Sequence, residues 1–439
     1  RLCGDGGVVH RRAGPAELHF LAADVAKVGP AKAQLDLLWL ATSDDDCQMV
    51  GTNFHNPGQA YYSFAHTLPA AHVVDWTCTV RLPNTAPGEG PAAQASTVSF
   101  SGFLSVTTCP IPAAVAAAVL GNGTEHDGGL QLEVELKSTA RGGWSPEPIR
   151  MCGVPRPARP RLLSACAATL HSADYIHRLA PHAIEDWINY HLLIGIEHIT
   201  LFDVDGSYAP YVSDFVARGL VKYVPRFPAT VSPKLGLLVS GLRDRRQQRS
   251  MLLEPHALDV CLWENRQVSE WTVVLHSFEE YLHSPALAAA VGSFPLRQIL
   301  RLIVAEVPRS TVFEIFQEPM GGPKQPQARS VLSTWTHKRG LEVQRDSVVE
   351  SVEETLKHFQ PFTFIADPLN VLQTGVHFAQ PRAQGQSIVT LPREMMHVNH
   401  YVDLGSNASR CDGELGGCEI PDDGILWAEE HILAMRLEK

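Results

Sequence analysis

The stretch Glu185-Asp-Trp187-Ile-Asn-Tyr190-His191-Leu-Leu-Ile-Gly195-Ile196-Glu-His-Ile-Thr-Leu-Phe202-Asp203-Val-Asp205-Gly-Ser207 decides the fold of the larger part of the chain. Ile184, Trp187, Ile188 and Leu192 recur at helical spacing, and Gly195 follows them. A residue free to adopt positive φ ends a helix at little cost, so a stop is predicted there. Ile196 to Phe202 is rich in β-branched and aromatic residues, which is the composition of a strand. That strand runs out in two carboxylates, Asp203 and Asp205, followed by Gly206 and Ser207.

Downstream the rhythm returns. Val212, Phe215 and Val216 stand at helical spacing, Gly219 supplies a second stop, and Leu220 to Val224 reads as a strand. A third helical segment over 248–264 leads into Trp271-Thr-Val-Val-Leu275, another buried strand. Strands alternating with helices predict right-handed crossovers and an α/β domain over 162–439 with a mostly parallel central sheet. Its strand ends at Asp203 and near Ser277 should then share one edge.

Upstream the pattern differs. Glu17 to Leu21, Gln34 to Trp39, Ala60 to Phe64, Val73 to Val80, Thr97 to Leu104 and Leu130 to Leu136 are short runs between turn clusters, several of them alternating apolar with polar residues. They predict a smaller β-sandwich over 1–145. Its aromatic residues Trp39, Tyr61, Tyr62 and Trp76 suit either a core or a sugar-stacking face. The run from Pro146 to Pro160 is too rich in proline for a helix or an inner strand, so 146–161 reads as the linker.

Over 439 residues, 45% are apolar and 19% charged, the profile of a globular chain of two domains. A formal net charge of -11 argues against nucleic acid as a partner. No run approaches the length of a membrane span, about 20 apolar residues. The sequence opens on Arg1 rather than Met, which leaves room for a removed signal peptide or N-terminal anchor. Nine cysteines form no CxxC pair, so disulfides are the better reading. Cys411 and Cys418 bracket a Gly-rich loop and are expected to pair. Asn122-Gly-Thr124 and Asn407-Ala-Ser409 are glycosylation sequons.

In an open parallel sheet, ligands bind beyond the carboxyl ends of the strands. Asp203 and Asp205, one residue apart on extended chain, point the same way and suit one ligand; they suit a turn or a helix N-cap equally. His276-Ser-Phe-Glu279-Glu280-Tyr-Leu282 follows the strand from Trp271. Acidic side chains at that place suit a divalent cation bridging a nucleotide diphosphate.

At these two strand ends the chain resembles glycosyltransferase family 92. Members carry a pattern like "EW-x-x-YH-x-x-x-G-(V/I)-x-x-(F/I)-x-x-(Y/F)-D-N-x-S", matched here from Glu185 to Ser207. Further on they carry "W-V-x-F-x-D-x-D-E-F-L", to which Trp271 through Leu282 is similar, and "(I/V)-N-H-Y", to which Val398-Asn399-His400-Tyr401 is similar. The resemblance runs from about Ala167 to Tyr401 and weakens between Pro285 and Pro392. It implies a GT-A-like fold that transfers a hexose, typically galactose from UDP-galactose, to a glycan acceptor with inversion. The Golgi lumen and Mn2+ are implied with it, a secreted location being the alternative. Asp203 and Asp205 would contact the donor nucleotide; Ser277, Glu279 and His400 would hold the metal. Plant members also carry an N-terminal β-sandwich thought to bind carbohydrate, and Cys109-Pro-Ile-Pro112 resembles a short motif there.

One departure bears on activity. Where the family has Asp-x-Asp, this chain offers His276-Ser-Phe278 in strict register or Ser277-Phe-Glu279 with one residue inserted; the second keeps Glu280-Tyr281-Leu282 on the family's Glu-Phe-Leu. The strict register lacks both carboxylates and the inserted one has a hydroxyl in place of one, which weakens a site for a hard cation. The rival expectation is a catalytically silent relative serving as a carbohydrate-binding or structural component of an extracellular assembly. An unrelated nucleotide enzyme lacks support because the chain has no Gly-rich phosphate loop. Glu314, Glu318 and Asp367 are candidates for the general base and also suit ordinary surface roles.

Overall fold

A computed structural model describes residues 9–13, 16–29, 32–43, 47–53, 56–66, 76–83, 92–100, 104–121, 131–138, 145, 147–152, 161–227, 246–266, 268–289, 295–321, 328–334, 336–338, 362–374, 379–382, 386–401 and 420–437. Asn122, Asn407, Cys411 and Cys418 lie outside the described residues. The chain is mixed α/β and divides into two compact units. The first holds Arg1–Pro160 and takes Arg266–Val268; the second holds Arg161–Phe227, Asp244–Asn265 and Ser269–Lys439.

The first unit is built from antiparallel strands. One sheet runs in the order Val9–Ala13, Ala16–Gly29, Lys32–Ser43, Leu104–Pro110, Ser96–Phe100; the other runs Ile149–Met151, Leu132–Ser138, Trp76–Arg81, Ala93–Gln94. Alternate residues of both sheets, among them Phe20, Leu35, Leu37 and Trp39 from one and Trp76, Val80, Val134 and Leu136 from the other, share one core. Trp39 and Trp76 are both buried, and the Trp39 indole donates to Thr107 Oγ1 at 2.9 Å, so these two aromatics are core rather than platform. The Cys78–Cys109 disulfide joins the two sheets.

Two sequence expectations change here. The stretch from Thr97 to Leu104, expected as one strand, folds as a hairpin in which Phe100 pairs with Leu104. The sequence carries a Ser-Gly step between those two residues, a turn signal within an alternating run. Within the expected linker, Ile149–Met151 forms a strand and Arg161 already belongs to the next unit. Ile-Arg-Met is the proline-free part of that segment, and it occupies a sheet edge, where one missing ladder partner is tolerated.

In the second unit, β1 (Arg161–Leu170) is the pivot. On one side it pairs in parallel with β2 (His198–Asp203), which pairs with β3 (Val221–Val224); on the other it pairs in parallel with β4 (Ser269–Leu275). The helices α1 (Ala173–Leu179), α2 (Ala183–Leu193), α3 (Ala209–Ala217) and α4 (Arg246–Asn265) connect these strands. Gly195 and Gly219 adopt φ of 104° and 71° at the ends of α2 and α3, as helix stops require. Ile184, Trp187 and Ile188 of α2, Val212 and Phe215 of α3, and Leu201 and Val273 of the strands are all buried in one cluster. The Cys166–Cys261 disulfide ties β1 to α4.

Beyond β4 the sheet becomes mixed, parallel and antiparallel, which corrects the expectation of a mostly parallel sheet. After β5 (Glu280–His283) the chain forms β6 (Ser310–Gly321) and β7 (Phe362–Ala366); β7 lies antiparallel between β4 and β6. β8 (Ser387–Thr390) and β9 (His397–His400) run parallel to β6, and β9 runs antiparallel to β5. Antiparallel neighbours need no crossover helix; here the helix Pro295–Glu306 leads into β6, whose neighbour β7 runs antiparallel to it.

Disulfides form in oxidising compartments. Cys78–Cys109 and Cys166–Cys261, with Cys152 also disulfide-bonded, are compatible with a secreted or lumenal protein. Among the described residues no helix is long and apolar enough to cross a membrane.

Candidate functional site

The ends of β2 and β4 flank the same strand. Ala167 of β1 pairs with Leu201 on one side and Leu275 on the other, so those two residues stand about 10 Å apart at the usual interstrand spacing. Asp203 and Ser277 each lie two residues further on, on one edge of the sheet. The carboxyl ends meet as the sequence requires.

At the first end, Asp203 is fully buried and both its oxygens are engaged. Oδ1 accepts from the backbone N–H groups of Asp205 at 3.0 Å and Gly206 at 2.9 Å; Oδ2 accepts from Tyr208 N at 2.9 Å and the Tyr223 hydroxyl at 2.6 Å. A carboxylate offers about four acceptor positions, and all four are taken. Burial pushes its carboxyl above the ordinary value, with the bonds from Tyr223 and Tyr208 pulling the other way. Asp205 is exposed and accepts from Ser172 N at 2.9 Å and Ser207 N at 3.1 Å. Although its partial burial works against it, those bonds hold its carboxyl below the ordinary value. Gly206, at φ 78°, makes the turn. Asp203 therefore braces the loop into α3, and Asp205 links it to the start of α1. The two carboxyl groups also act directly on one another.

At the second end, the turn His276–Glu279 is stitched to residues far away in sequence. The Glu279 N–H donates to Ser277 Oγ at 3.2 Å, and His400 Nε2 lies 3.5 Å from Glu279 Oε2. The pairing of β5 with β9 sets Glu280 opposite His400. Ser277, Glu279 and His400, chosen from motifs more than a hundred residues apart, come together here. Glu280 is wholly buried and points inward: it accepts from His276 N at 2.8 Å and from the Gln317 amide at 2.6 Å, with His276 Nδ1 at 3.3 Å. Burial opposes its ionisation, but the nearby His276 and His400 hold its carboxyl down to about 2.

The stretch that opened the reading grips this turn. Trp187 Nε1 donates to Glu280 O at 2.7 Å, and the Tyr190 hydroxyl donates to Leu282 O at 2.6 Å. His191 Nδ1 lies 2.8 Å from Trp187 O, and its Nε2 is 3.5 Å from Leu282 N. That pattern needs a neutral ring with its proton on Nδ1. Burial lowers its pKa to about 3, in agreement.

Among the described residues no group of three or more His, Cys, Asp or Glu is assembled to hold a metal ion. A divalent cation at this turn would find one free-facing carboxylate, one imidazole and one hydroxyl, short of the oxygen set a hard cation takes. Among the described residues, these three groups alone do not make up the oxygen set that a hard cation takes. The remaining carboxylate candidates are engaged elsewhere: Glu314 accepts from Thr390 at 2.8 Å, Glu318 pairs with Arg393 at 3.0 Å, and Asp367 caps its own turn through Leu369 N at 3.0 Å. Composition gave no sign of Gln317 or of Glu254, a buried carboxyl on α4 coupled to His276 and Glu280. Neither a protein-family model nor a curated protein matches the chain.

Proposed function

We propose that this chain is a GT-A-like glycosyltransferase that moves a hexose, galactose being the first to test, from a UDP-sugar to a glycan acceptor with inversion, in the Golgi lumen. The observation that carries the reading is the convergence of its three motif regions. Trp187 and Tyr190 of the first bind the backbone of the second, and His400 of the third stands beside Glu279. Asp205, exposed at the adjoining strand end, is the carboxylate available to a donor ribose or base. Any Mn2+ would be bound jointly by Glu279, His400 and the diphosphate of the donor itself, so metal affinity should depend on nucleotide.

The rival, a catalytically silent carbohydrate-associated protein, is favoured by the full engagement of Asp203 and the thin ligand set around Ser277. Titration calorimetry separates the two. Under the enzymatic reading, UDP binds, manganese binds weakly alone and more tightly with UDP, and Ser277→Asp strengthens that binding. In the strict register His276→Asp would strengthen it instead. If parent and both variants bind neither UDP nor metal, the silent reading stands.

A further inference from the structure

The last described helix, α5 (Glu429–Leu437), packs on α2. Its Ile432, with Ile425 and Ala428 just before it, is buried in one cluster with Ile184 and Ile188, and the Trp427 ring lies 6.4 Å from that of Tyr190. Apolar burial is non-directional, so these contacts hold α5 down without fixing its rotation against α2. An ion pair supplies the direction. The Asp186 side chain on α2 is wholly buried, and Arg436 on α5 meets both of its oxygens: Nε donates to Oδ1 at 2.7 Å and a terminal NH2 group donates to Oδ2. The same NH2 group donates to Arg329 O at 3.1 Å, while Ser330 and Ser333 donate to Glu429, the first residue of α5. A guanidinium and a carboxylate joined by two bonds fix an angle as well as a distance. Asp186 and Tyr190, four residues apart, share one face of α2, and Trp187 follows Asp186 directly. Trp187 and Tyr190 are the side chains that bind Glu280 O and Leu282 O, and the pairing of β5 with β9 carries that placement to His400.

We propose that Asp186 and Arg436 are positioning residues of the candidate site: a latch by which α5 sets the rotation of α2 and, through Trp187 and Tyr190, the main chain at Glu280 and Leu282 beside which Glu279 and His400 stand. Neither residue touches a reactant; the pair acts by where it holds the turn. The effect on the turn follows from the contacts alone, whereas the effect on sugar transfer rests on the glycosyltransferase reading above.

The test compares the parent with Arg436→Met, Arg436→Lys and the double variant Asp186→Asn with Arg436→Met, measuring the urea midpoint, hydrogen exchange at the amides of 276–283 and the rate of sugar transfer. Arg436→Met leaves a buried carboxylate without its partner and should lower the midpoint. The double variant removes both charges, so its midpoint should return toward the parent's. A merely structural pair would then give back everything else as well. A latch would not: in the double variant, protection at 276–283 and the transfer rate should each stay about 10-fold or more below the parent's, as displacement by a contact remote from the chemistry produces. Arg436→Lys keeps the charge without the two-bond fork and should lie between parent and Arg436→Met in both. Protection in the double variant equal to the parent's overturns the latch, and lost protection with undiminished transfer overturns its role in positioning the site. A parent that transfers no sugar sinks the glycosyltransferase reading alone, and the exchange measurement still decides whether the pair holds the turn.

Discussion

Asp203 shows how a motif residue can be necessary without touching a ligand. Its four accepted hydrogen bonds hold the loop that launches α3, and one donor, Tyr223, comes from the neighbouring strand. Asp203→Asn would turn one oxygen into an NH2 group facing N–H or O–H donors. Each buried donor left without an acceptor costs about 1–3 kcal/mol, so the denaturation midpoint should fall at unchanged m-value. An unchanged midpoint would mean the side chain is spare and available to a ligand. The acidic pair itself was plain in the sequence; the difference between its members was not. Periodicity on an extended chain says where Cβ atoms point, whereas Gly206 turns the chain immediately afterwards and brings the donors in. Trp187, Tyr190 and His191 make the same case. Helical spacing marks them as a buried face, but their polar atoms bind a strand some ninety residues later, and nothing local announces that partner.

At the scale of elements, the helices and strands from α2 to β4 were legible because each is amphipathic or rich in apolar and β-branched residues, and glycine closes α2 and α3. β1, the pivot of the sheet, was not. Leu163-Ser-Ala-Cys-Ala-Ala168 is small and neither β-branched nor alternating, and its strand character comes from being flanked by β2 and β4. Small side chains there leave room for α4, which the Cys166–Cys261 disulfide fastens to β1 across 95 residues of chain. The expectation of a local Cys411–Cys418 pair lies outside the described residues, and the two bridges described join layers instead. In the chain-entropy account, closing a loop of about 100 residues restricts the unfolded chain by about 4–5 kcal/mol. Cys166→Ala with Cys261→Ala should therefore lower the stability of the second unit by a few kcal/mol. Hydrogen exchange at β1 and α4 amides measures it, and protection equal to the parent's would show that packing alone holds the helix.

At the scale of the whole molecule, the division into a β-rich first unit and a mixed second one followed from a change of rhythm, and the buried ionisable groups of the second unit give it a pH profile no composition predicts. His191 titrates at 6.5 when unfolded and about 3 when folded; Glu254 at 4.5 and about 7; Glu280 at 4.5 and about 2. Between pH 4.5 and 6.5 the unfolded chain carries a proton on His191 that the folded chain lacks, which makes stability rise with pH. Over the same span the folded chain carries a proton on Glu254 that the unfolded chain lacks, which makes stability fall with pH. The two slopes, about 1.4 kcal/mol per pH unit each, oppose one another, so the parent should show a plateau. Below pH 4.5 Glu254 is protonated in both states, while His191 and Glu280 are protonated only in the unfolded one. These two contributions make stability drop as pH falls, opposed by Asp186, Asp203 and Asp367, whose burial raises their folded carboxyls above the ordinary value. Glu254→Gln removes the opposing slope, so its stability should rise with pH from 4.5 to 6.5 where the parent's is flat. Urea unfolding at half-unit pH steps, with hydrogen exchange at β1 and β4 reporting on this unit, decides the matter. Identical profiles for parent and variant would show that Glu254 exchanges its proton with solvent at an ordinary carboxyl pKa.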